Sequence, residues 1–144
     1  MKTDEILSLW KEDSIIDRTE LGDEAIRIAR LLQKYYEIMI NEKKILLKYD
    51  NDLKTLKLEK FEFYTQGHNE ETIKKGWELP SKGAIIKSEV PLYMDADKDL
   101  IDLSLKIGIQ KEKVDMLEFI LKSLNNRSFN IRAAIDDMKL KLGI

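Results

Sequence analysis

The sequence predicts an all-α protein built on one long helix of the coiled-coil type. Residues 17–64 contain no proline and a single glycine, Gly22. Charged residues make up 36% of the 144 residues, and the whole chain has two prolines and six glycines. This composition favours long helices over a sandwich or barrel of strands. We therefore expect one helical domain, residues 1–144, divided into four segments.

The first segment, residues 1–16, is predicted to form a short amphipathic helix. Thr3 is the expected N-cap, because threonine side chains accept hydrogen bonds from the first turn. Ile6, Leu9 and Trp10 fall on one face of this helix.

The second segment, residues 17–64, is predicted to be one helix that carries a seam spaced alternately by four and three residues. Asp17 or Thr19 is the expected N-cap. The seam consists of Leu21, Ala25, Ile28, Leu32, Tyr35, Met39, Glu42, Leu46, Tyr49, Leu53, Leu56, Lys60 and Phe63. Eleven of these thirteen positions are apolar, which is typical of coiled coils. A helix of roughly 45 residues is about 68 Å long. We expect it to be too long to bury its seam within its own chain, which predicts self-assembly or a helical partner.

The third segment, residues 65–95, is predicted to be an irregular connection. Residues 65–69 combine polar residues with a glycine, which is typical of a turn that ends a helix. Residues 84–90 are a candidate extended stretch. The segment contains Gly67, Gly76, Pro80, Gly83 and Pro91. Connections of this length usually carry function or move.

The fourth segment, residues 96–144, is predicted to contain shorter C-terminal helices. Acidic residues at 95–97 suit the positive end of the first of them. Its seam consists of Leu100, Leu103, Ile107, Gln110, Val114, Leu117, Leu121 and Leu124. Asn125 and Asn126 are the predicted break, and a last helix is expected from Ser128.

The chain lacks the groups that common enzymes and metal sites require. It has no cysteine, which excludes disulfides, thiolate metal sites and a cysteine nucleophile. His68 is the sole histidine, and we expect it to be solvated in a loop without an ordered partner. Phosphate-binding glycine motifs are missing. Asp95, Asp97, Asp99 and Asp102 lack the glycine and glutamate of an EF-hand loop. We therefore expect no catalytic residue, no metal, no cofactor and no enzymatic activity.

Targeting signals are also missing from the sequence. No apolar run approaches the roughly 20 residues that span a membrane. The first five residues do not form the core of a signal peptide. The expected location is the cytoplasm, which is that of the host cell if a phage encodes the protein, and no membrane partner is expected.

Charge is unevenly distributed along the chain. The net charge of −2 argues against a nucleic-acid binder. Residues 1–24 have three basic and eight acidic groups, and residues 25–88 have thirteen basic and nine acidic groups. Residues 89–104 have one basic and five acidic groups, and residues 105–144 have eight and five. This alternation fits ordinary solvated helices. It also fits a basic middle that meets an anionic polymer, with acidic blocks facing protein partners.

Near the end of the long helix a lysine recurs every three residues, and aromatic residues follow. The lysines are Lys54, Lys57 and Lys60, and the aromatic residues are Phe61, Phe63 and Tyr64. Ammonium groups neutralise phosphates, and aromatic rings stack on the unpaired bases of single-stranded nucleic acid. Aromatics that end a coiled-coil core beside solvated lysines would give the same pattern, so both interpretations remain open.

Four short stretches, taken together in order and spacing, resemble the UvsY family of recombination mediators of tailed phages. The first contains Asp13, Ile16, Asp17, Thr19, Leu21, Glu24 and Ala25. The second contains Lys57, Lys60, Glu62, Phe63 and Tyr64. The third contains Lys87, Ser88, Glu89, Ala96, Asp97, Lys98, Asp99, Ser104 and Leu105. The fourth contains Arg127, Ser128, Phe129, Ile131, Arg132, Ile135, Asp137 and Met138. The resemblance covers nearly the whole chain except residues 65–86 and the last few residues.

This resemblance implies an accessory protein that binds single-stranded DNA as a ring-like homo-oligomer, a hexamer or heptamer. It would help a RecA-like phage recombinase displace the phage single-strand binding protein. The implied DNA-binding residues are Lys57 and Lys60, with Lys54 as a neighbouring candidate. The aromatic residues that follow, Phe63 and Tyr64, complete the predicted DNA-binding site. The implied oligomerisation residues are Phe129, Ile131, Ile135 and Met138.

The sequence departs from the family pattern in its charge. Family members are expected to be basic, whereas this chain has a net charge of −2, and Leu58 stands where a further basic residue is expected. Each missing cation removes a phosphate contact, which predicts weaker, more salt-sensitive DNA binding per subunit. Several weak sites on one oligomer would compensate. The alternative is a structural or adaptor coiled-coil protein that does not bind DNA.

Overall fold

The computed structural model describes residues 1–80 and 83–144, and its regular structure is entirely helical. The helices are α1 (Thr3–Asp13), α2 (Leu21–Gln66), α3 (Glu70–Lys74), α4 (Val90–Asp95) and α5 (Lys98–Leu142). The described residues contain no strand, which confirms the all-α prediction. In these same two ranges, every helix is too short or too polar to cross a membrane.

The chain divides into two compact units. The terminal unit contains residues Met1–Lys44 and Lys111–Ile144, and the central unit contains Ile45–Gln110. Helix α2 spans 46 residues and helix α5 spans 45, so each contributes one part to each unit.

The core of the terminal unit is formed by α1, the first part of α2 and the second part of α5. Its buried residues are Ile6, Leu31, Tyr35, Met39, Leu117, Ile120 and Leu124. The ring of Trp10 from α1 meets the ring of Tyr35 edge-on, with 5.7 Å between the ring centroids. Helix α1 is thereby fixed against α2 through apolar and aromatic contacts.

The core of the central unit lies at the end of α2. Phe63, Tyr64 and Val90 are buried there. Side chains of the connection and of α4 pack around them, namely Trp77, Leu79, Ile85, Tyr93 and Met94. This core joins the end of α2, the connection and α4 into one unit.

The predicted seam of α2 is confirmed, but the expectation that it needs a second chain is wrong. Twelve of the thirteen seam positions are buried or partly buried within the chain itself, and only Ala25 is exposed. Helix α5 is nearly as long as α2, so each unit supplies apolar surface from both helices. The two polar seam positions are buried with ionic partners: Glu42 lies 3.9 Å from Lys113, and Lys60 is described below.

The predicted break at Asn125 and Asn126 is wrong, because α5 continues through both residues to Leu142. Both asparagines are exposed, and the residues on either side, Leu124 and Arg127, are buried. Asparagine is only modestly unfavourable inside a helix. Burial of its neighbours outweighs that preference, so one helix replaces the predicted shorter ones.

The predicted N-caps of the first two helices are also wrong. Helix α1 begins at Thr3 itself, after Lys2, whose backbone N–H donates to the Glu5 carboxylate at 3.4 Å. The Asp17 carboxylate accepts hydrogen bonds from the backbone N–H of Thr19 at 2.9 Å and its hydroxyl at 2.6 Å. Asp17 therefore stabilises a turn before α2 begins at Leu21.

The connection 65–95 is more regular than predicted, because it contains α3 and α4. Helix α2 ends at Gln66, and Gly67 follows with φ of +87°, which is typical of a helix C-terminus. The candidate extended stretch 84–90 forms no strand. Instead, the backbone N–H of Ile85 donates to the carbonyl of Tyr64 at 2.9 Å. Residues 81–82 of the predicted connection 65–95 lie outside the described residues.

Candidate nucleic-acid interface

The five predicted DNA-binding residues divide into an exposed pair and a buried trio. Lys54 and Lys57 are exposed on α2. Lys60, Phe63 and Tyr64 are only 3%, 2% and 6% exposed. Lys60 and Phe63 occupy seam positions of α2, whereas Lys54 and Lys57 each follow a seam position. The structure therefore brings the trio together inside the central unit and leaves the pair on its surface.

Lys60 is surrounded by two carboxylates and an indole ring. Its Nζ lies 3.2 Å from Asp97 Oδ2 and 2.8 Å from Asp99 Oδ2. It also lies 3.8 Å from the ring centroid of Trp77, within the range of a cation–π interaction. A lysine with these partners is satisfied inside the protein, and its charge is directed inward.

Asp97 connects the end of α2 to the start of α5. Its carboxylate accepts a hydrogen bond from the Tyr64 hydroxyl at 2.6 Å. It also accepts one from the backbone N–H of Leu100 at 3.1 Å, so it caps α5 as the acidic residues at 95–97 suggested. We call Lys60, Tyr64, Asp97 and Asp99 the Lys60 network.

The surroundings of Asp97 and Tyr64 fix the protonation of these two groups near neutral pH. Burial raises the pKa of Asp97, but hydrogen bonds from Tyr64, Leu100 and Lys60, with the charge of Lys60, hold that pKa below its ordinary value. Burial raises the pKa of Tyr64, and so does its hydrogen bond to Asp97. Asp97 is therefore a carboxylate and Tyr64 a neutral donor when the protein is folded.

Phe63 is held by three aromatic neighbours. Its ring centroid lies 5.2 Å from that of Tyr64, 5.3 Å from Trp77 and 5.0 Å from His68. His68 is exposed, as expected for a loop, but its Nδ1 also lies 3.2 Å from the Thr72 hydroxyl. The expectation that His68 has no ordered partner is therefore wrong.

One face of α2 in the central unit is exposed and combines cations with an aromatic ring. Lys54, Lys57 and Phe61 fall within about 60° of each other around the helix. Phe61 is 40% exposed, unlike Phe63 and Tyr64. Phe61 stands beside the lysines in the sequence, but the predicted DNA-binding residues included only the two aromatic residues of the family motif, Phe63 and Tyr64. The signal that identifies Phe61 is its helical spacing of four from Lys57 and seven from Lys54.

A groove of about 600 Å³ runs beside this face, and we call it the Phe61 groove. Its outer lining comes from Lys57, Phe61, Pro91, Ile101 and Leu105. Val90 and Leu100 lie beneath, and both are buried. The groove is mainly apolar, and its two charged residues are Lys57 and Asp95.

The four predicted oligomerisation residues lie in the terminal unit and do not form one surface. Ile131 is buried and Ile135 is partly buried, whereas Phe129 and Met138 are exposed. Ile131, Ile135 and Met138 fall within about 60° of each other on α5, and Phe129 lies on the opposite side. Ile131 and Met138 line a cavity together with Ile16.

A second polar network in the terminal unit, which we call the Asp13 network, consists of Asp13, Arg27, Lys34 and Tyr35. The Asp13 carboxylate accepts hydrogen bonds from Arg27 at 3.1 Å, Lys34 at 2.7 Å and the Tyr35 hydroxyl at 2.7 Å. Arg127 lies beside it and donates to the backbone carbonyls of Asp13 at 3.0 Å and Ser14 at 3.1 Å. These bonds tie the end of α1 to α5.

The four sequence stretches that carry the family resemblance thus meet in pairs. Asp13 of the first stretch meets Arg127 of the fourth. Lys60 and Tyr64 of the second stretch meet Asp97 of the third. Residues far apart in sequence therefore build one polar network in each unit.

Comparison with known proteins gives a family match over most of the chain. The family described as "Recombination, repair and ssDNA binding protein UvsY" matches residues 9–144. No match is found among curated proteins.

Three crystal structures of the recombination mediator protein UvsY of bacteriophage T4 are similar to this chain. The lattice type II structure is 25% identical with a TM-score of 0.78, covering 100% of this chain and 99% of that one. The type IV structure is 21% identical with a TM-score of 0.78, covering 97% and 98%. The type I structure is 24% identical with a TM-score of 0.75, covering 94% and 97%. The family match and this shared fold lead to one conclusion: the chain belongs to the UvsY family of recombination, repair and single-stranded DNA binding proteins.

Proposed function

We propose that this protein is a recombination mediator that binds single-stranded DNA as a homo-oligomer. In this role it helps load a RecA-like phage recombinase in place of the phage single-strand binding protein. The observation that carries the proposal is the family match over residues 9–144, which includes parts of both units. The T4 protein of the same fold is a recombination mediator by name. The protein acts by binding and needs no catalytic residue.

Lys54 and Lys57 are the proposed phosphate contacts. Both are exposed and lie close together on one face of α2. Ammonium groups so placed reach a DNA backbone without rearrangement of the unit. Lys60, Phe63 and Tyr64 take a different part in this proposal, because they hold the end of α2, the connection and the start of α5 in place. They position the exposed face and do not touch DNA.

Self-association is proposed to occur through the last part of α5. Phe129 and Met138 are exposed there. Ile131 is buried in its own chain and supports the terminal unit instead. Two phosphate contacts per subunit bind weakly, and a ring of six or seven subunits multiplies them through effective concentration.

A direct test is titration of fluorescent single-stranded and duplex oligonucleotides of equal length at several salt concentrations. We expect preference for the single strand and a steep loss of affinity with salt. Lys54→Ala with Lys57→Ala should weaken binding, and Lys111→Ala with Lys122→Ala, which removes two exposed lysines of the terminal unit, is the matched control. An oligomer that binds no DNA at low salt would favour the adaptor coiled coil instead.

Recombinase loading is tested separately. Single-stranded DNA is first covered with the single-strand binding protein of the phage, and the DNA-dependent ATPase activity of the recombinase is then followed. We expect the wild-type protein to shorten the lag before ATP hydrolysis, and the Lys54→Ala, Lys57→Ala variant to do so less. An unchanged lag would refute the mediator role while leaving DNA binding intact.

The assembly surface is tested by light scattering. Phe129→Ser with Met138→Ser should lower the measured mass, because it removes exposed apolar side chains from two sides of the segment that is proposed to assemble. Phe119→Ser is the control, since Phe119 is also exposed on α5 but lies outside the proposed segment. A mass that falls only with the control would move the interface toward Phe119.

A further inference from the structure

We infer that the Phe61 groove holds one unpaired base of single-stranded DNA, stacked on the Phe61 ring, while Lys57 binds the adjoining phosphate. This inference rests on the proposed function and adds a base-binding subsite with a base preference to it. The proposed phosphate contacts alone would give DNA binding without such a subsite.

The groove is preformed. Val90 in the floor of the groove belongs to the buried core that contains Phe63 and Tyr64. Leu100, also in the floor, donates its backbone N–H to the Asp97 carboxylate. The Lys60 network thus fixes both sides of the floor. Its volume of about 600 Å³ lies in the range of small-molecule sites, which are mostly apolar with a few polar groups.

Phe61 and Lys57 offer the two contacts that a nucleotide of single-stranded DNA requires. They lie one turn apart on α2 and line the same groove. The ring of Phe61 is 40% exposed, so a face is available for stacking, and the ammonium group of Lys57 matches the charge of a phosphate. An exposed ring with a cation one turn away on the same helix favours a nucleotide over an apolar peptide.

The groove residues outside α2 include a carboxylate and a hydroxyl. Asp95 and Ser104 both line the groove. A carboxylate that faces position 4 of a pyrimidine accepts a hydrogen bond from the amino group of cytosine, whereas thymine has a carbonyl oxygen there and can donate only from its ring N3–H. Asp95 also repels phosphate, which directs the backbone toward Lys57. The groove therefore favours cytosine over thymine.

Binding of length-matched oligo(dC) and oligo(dT) to the full chain, measured by fluorescence anisotropy at several salt concentrations, tests this inference. Phe61→Leu should weaken binding about fivefold or more at every salt concentration without changing the salt slope, because stacking releases no counterions. Phe119→Leu removes an exposed ring of the terminal unit and should bind as the wild type does. Wild type should prefer oligo(dC) about threefold, and Asp95→Asn should abolish this preference, since an amide also donates to thymine.

The outcomes separate the inference from the proposed function. Wild-type binding that Phe61→Leu leaves unchanged would overturn the groove and leave single-strand binding standing. No binding by the wild type would overturn both. Weaker binding accompanied by a lower mass in light scattering would assign the groove to a second copy of the chain and also overturn the inference. Asp95→Asn with an unchanged base preference would overturn the role of Asp95.

Discussion

The two units place the same three side-chain types together in different surroundings. In the terminal unit, Asp13 accepts hydrogen bonds from Tyr35 and Lys34, both at 2.7 Å. In the central unit, Asp97 accepts a hydrogen bond from Tyr64 at 2.6 Å and lies 3.2 Å from Lys60.

These two lysines differ in exposure. The side chain of Lys34 is 39% exposed, whereas that of Lys60 is 4% exposed. Exposed ion pairs contribute little to stability, but removal of one partner from a buried pair leaves a charge that water cannot reach. The same Asp–Lys–Tyr chemistry is therefore expected to be far more sensitive to mutation in the central unit.

The largest predicted difference is between Lys60→Met and Lys34→Met. Lys60→Met leaves the Asp97 carboxylate buried without its cation and should lower the free energy of unfolding of the central unit by about 3 kcal/mol. Lys34→Met should cost the terminal unit about 1 kcal/mol or less, because Asp13 keeps Arg27 and Tyr35. Urea unfolding followed by tryptophan fluorescence measures both.

The two tryptophans separate the units in this experiment. Trp10 lies in the terminal unit and Trp77 in the central unit. A Trp10→Phe background therefore reports on the central unit and a Trp77→Phe background on the terminal unit. Equal losses for Lys60→Met and Lys34→Met would contradict the contrast between the networks.

The second prediction concerns the connection between α1 and α5 in the terminal unit. Arg127→Met removes two hydrogen bonds to the carbonyls of Asp13 and Ser14 and a cation 5.5 Å from the Trp10 ring. The terminal unit should lose about 2 kcal/mol, as measured by Trp10 fluorescence. Arg132→Met, at an exposed position five residues later, should cause little change. Equal effects of the two variants would mean that the buried guanidinium adds no stability.

The third prediction is a shift in acid unfolding. The pKa of Asp97 is below its ordinary value of 3.8 in the folded protein. Its ionised form therefore stabilises the central unit above that value, and this contribution is lost as the pH falls through the folded pKa. Tyr64→Phe removes a hydrogen bond to the carboxylate, so it should cost about 1 kcal/mol at neutral pH and raise the pH at which this unit unfolds.

Tyr35→Phe is the matched variant in the terminal unit. The pKa of Asp13 is also below its ordinary value. Burial raises this pKa, but hydrogen bonds from Lys34 and Tyr35, together with the charges of Lys34 and Arg27, lower it by more than burial raises it. Because two cations remain in Tyr35→Phe, the shift in acid unfolding should be smaller than for Tyr64→Phe. The midpoint of acid unfolding of each unit is measured across a pH series by circular dichroism and by tryptophan fluorescence in the Trp10→Phe and Trp77→Phe backgrounds. A larger shift for Tyr35→Phe would contradict the comparison.

The smallest effect on stability is predicted for Lys54 and Lys57, the exposed lysines of α2 in the central unit. Lys54→Ala with Lys57→Ala should leave the urea midpoint of the central unit unchanged, because neither side chain is buried. Trp77 fluorescence in the Trp10→Phe background measures this midpoint. A large fall in the urea midpoint would mean that these lysines stabilise the central unit, and it would weaken their assignment as DNA-binding residues.

Sequence periodicity predicted the helical class and most of the buried face of α2, because a seam repeats over many turns. The acidic residues at 95–97 also marked the start of α5, where Asp97 caps the helix. The predictions were wrong where contacts between residues distant in sequence determine whether a residue is helical or buried. Asn125 and Asn126 remain helical because their neighbours are buried, and the seam finds its partner in α5.

The candidate site was only partly predictable for the same reason. Lys60 has the sequence environment of a surface cation, since it stands between Glu59 and Phe61. Its burial depends on Asp97, Asp99 and Trp77, which lie 17 to 39 residues away in sequence and are brought to it by the fold. Local spacing could place Lys54, Lys57 and Phe61 on one face, but it could not show which lysine has partners inside the protein.

The most direct test compares the salt dependence of single-stranded DNA binding in two variants. For Lys54→Ala with Lys57→Ala, the slope of log affinity against log salt should fall by up to about 1.4 per engaged subunit, at about 0.7 per phosphate contact. For Lys60→Met, used where Trp77 fluorescence shows the central unit folded, the slope should equal that of the wild type. A reduced slope for Lys60→Met together with an unchanged slope for the double variant would contradict the division between surface lysines that bind DNA and a buried lysine that supports the fold.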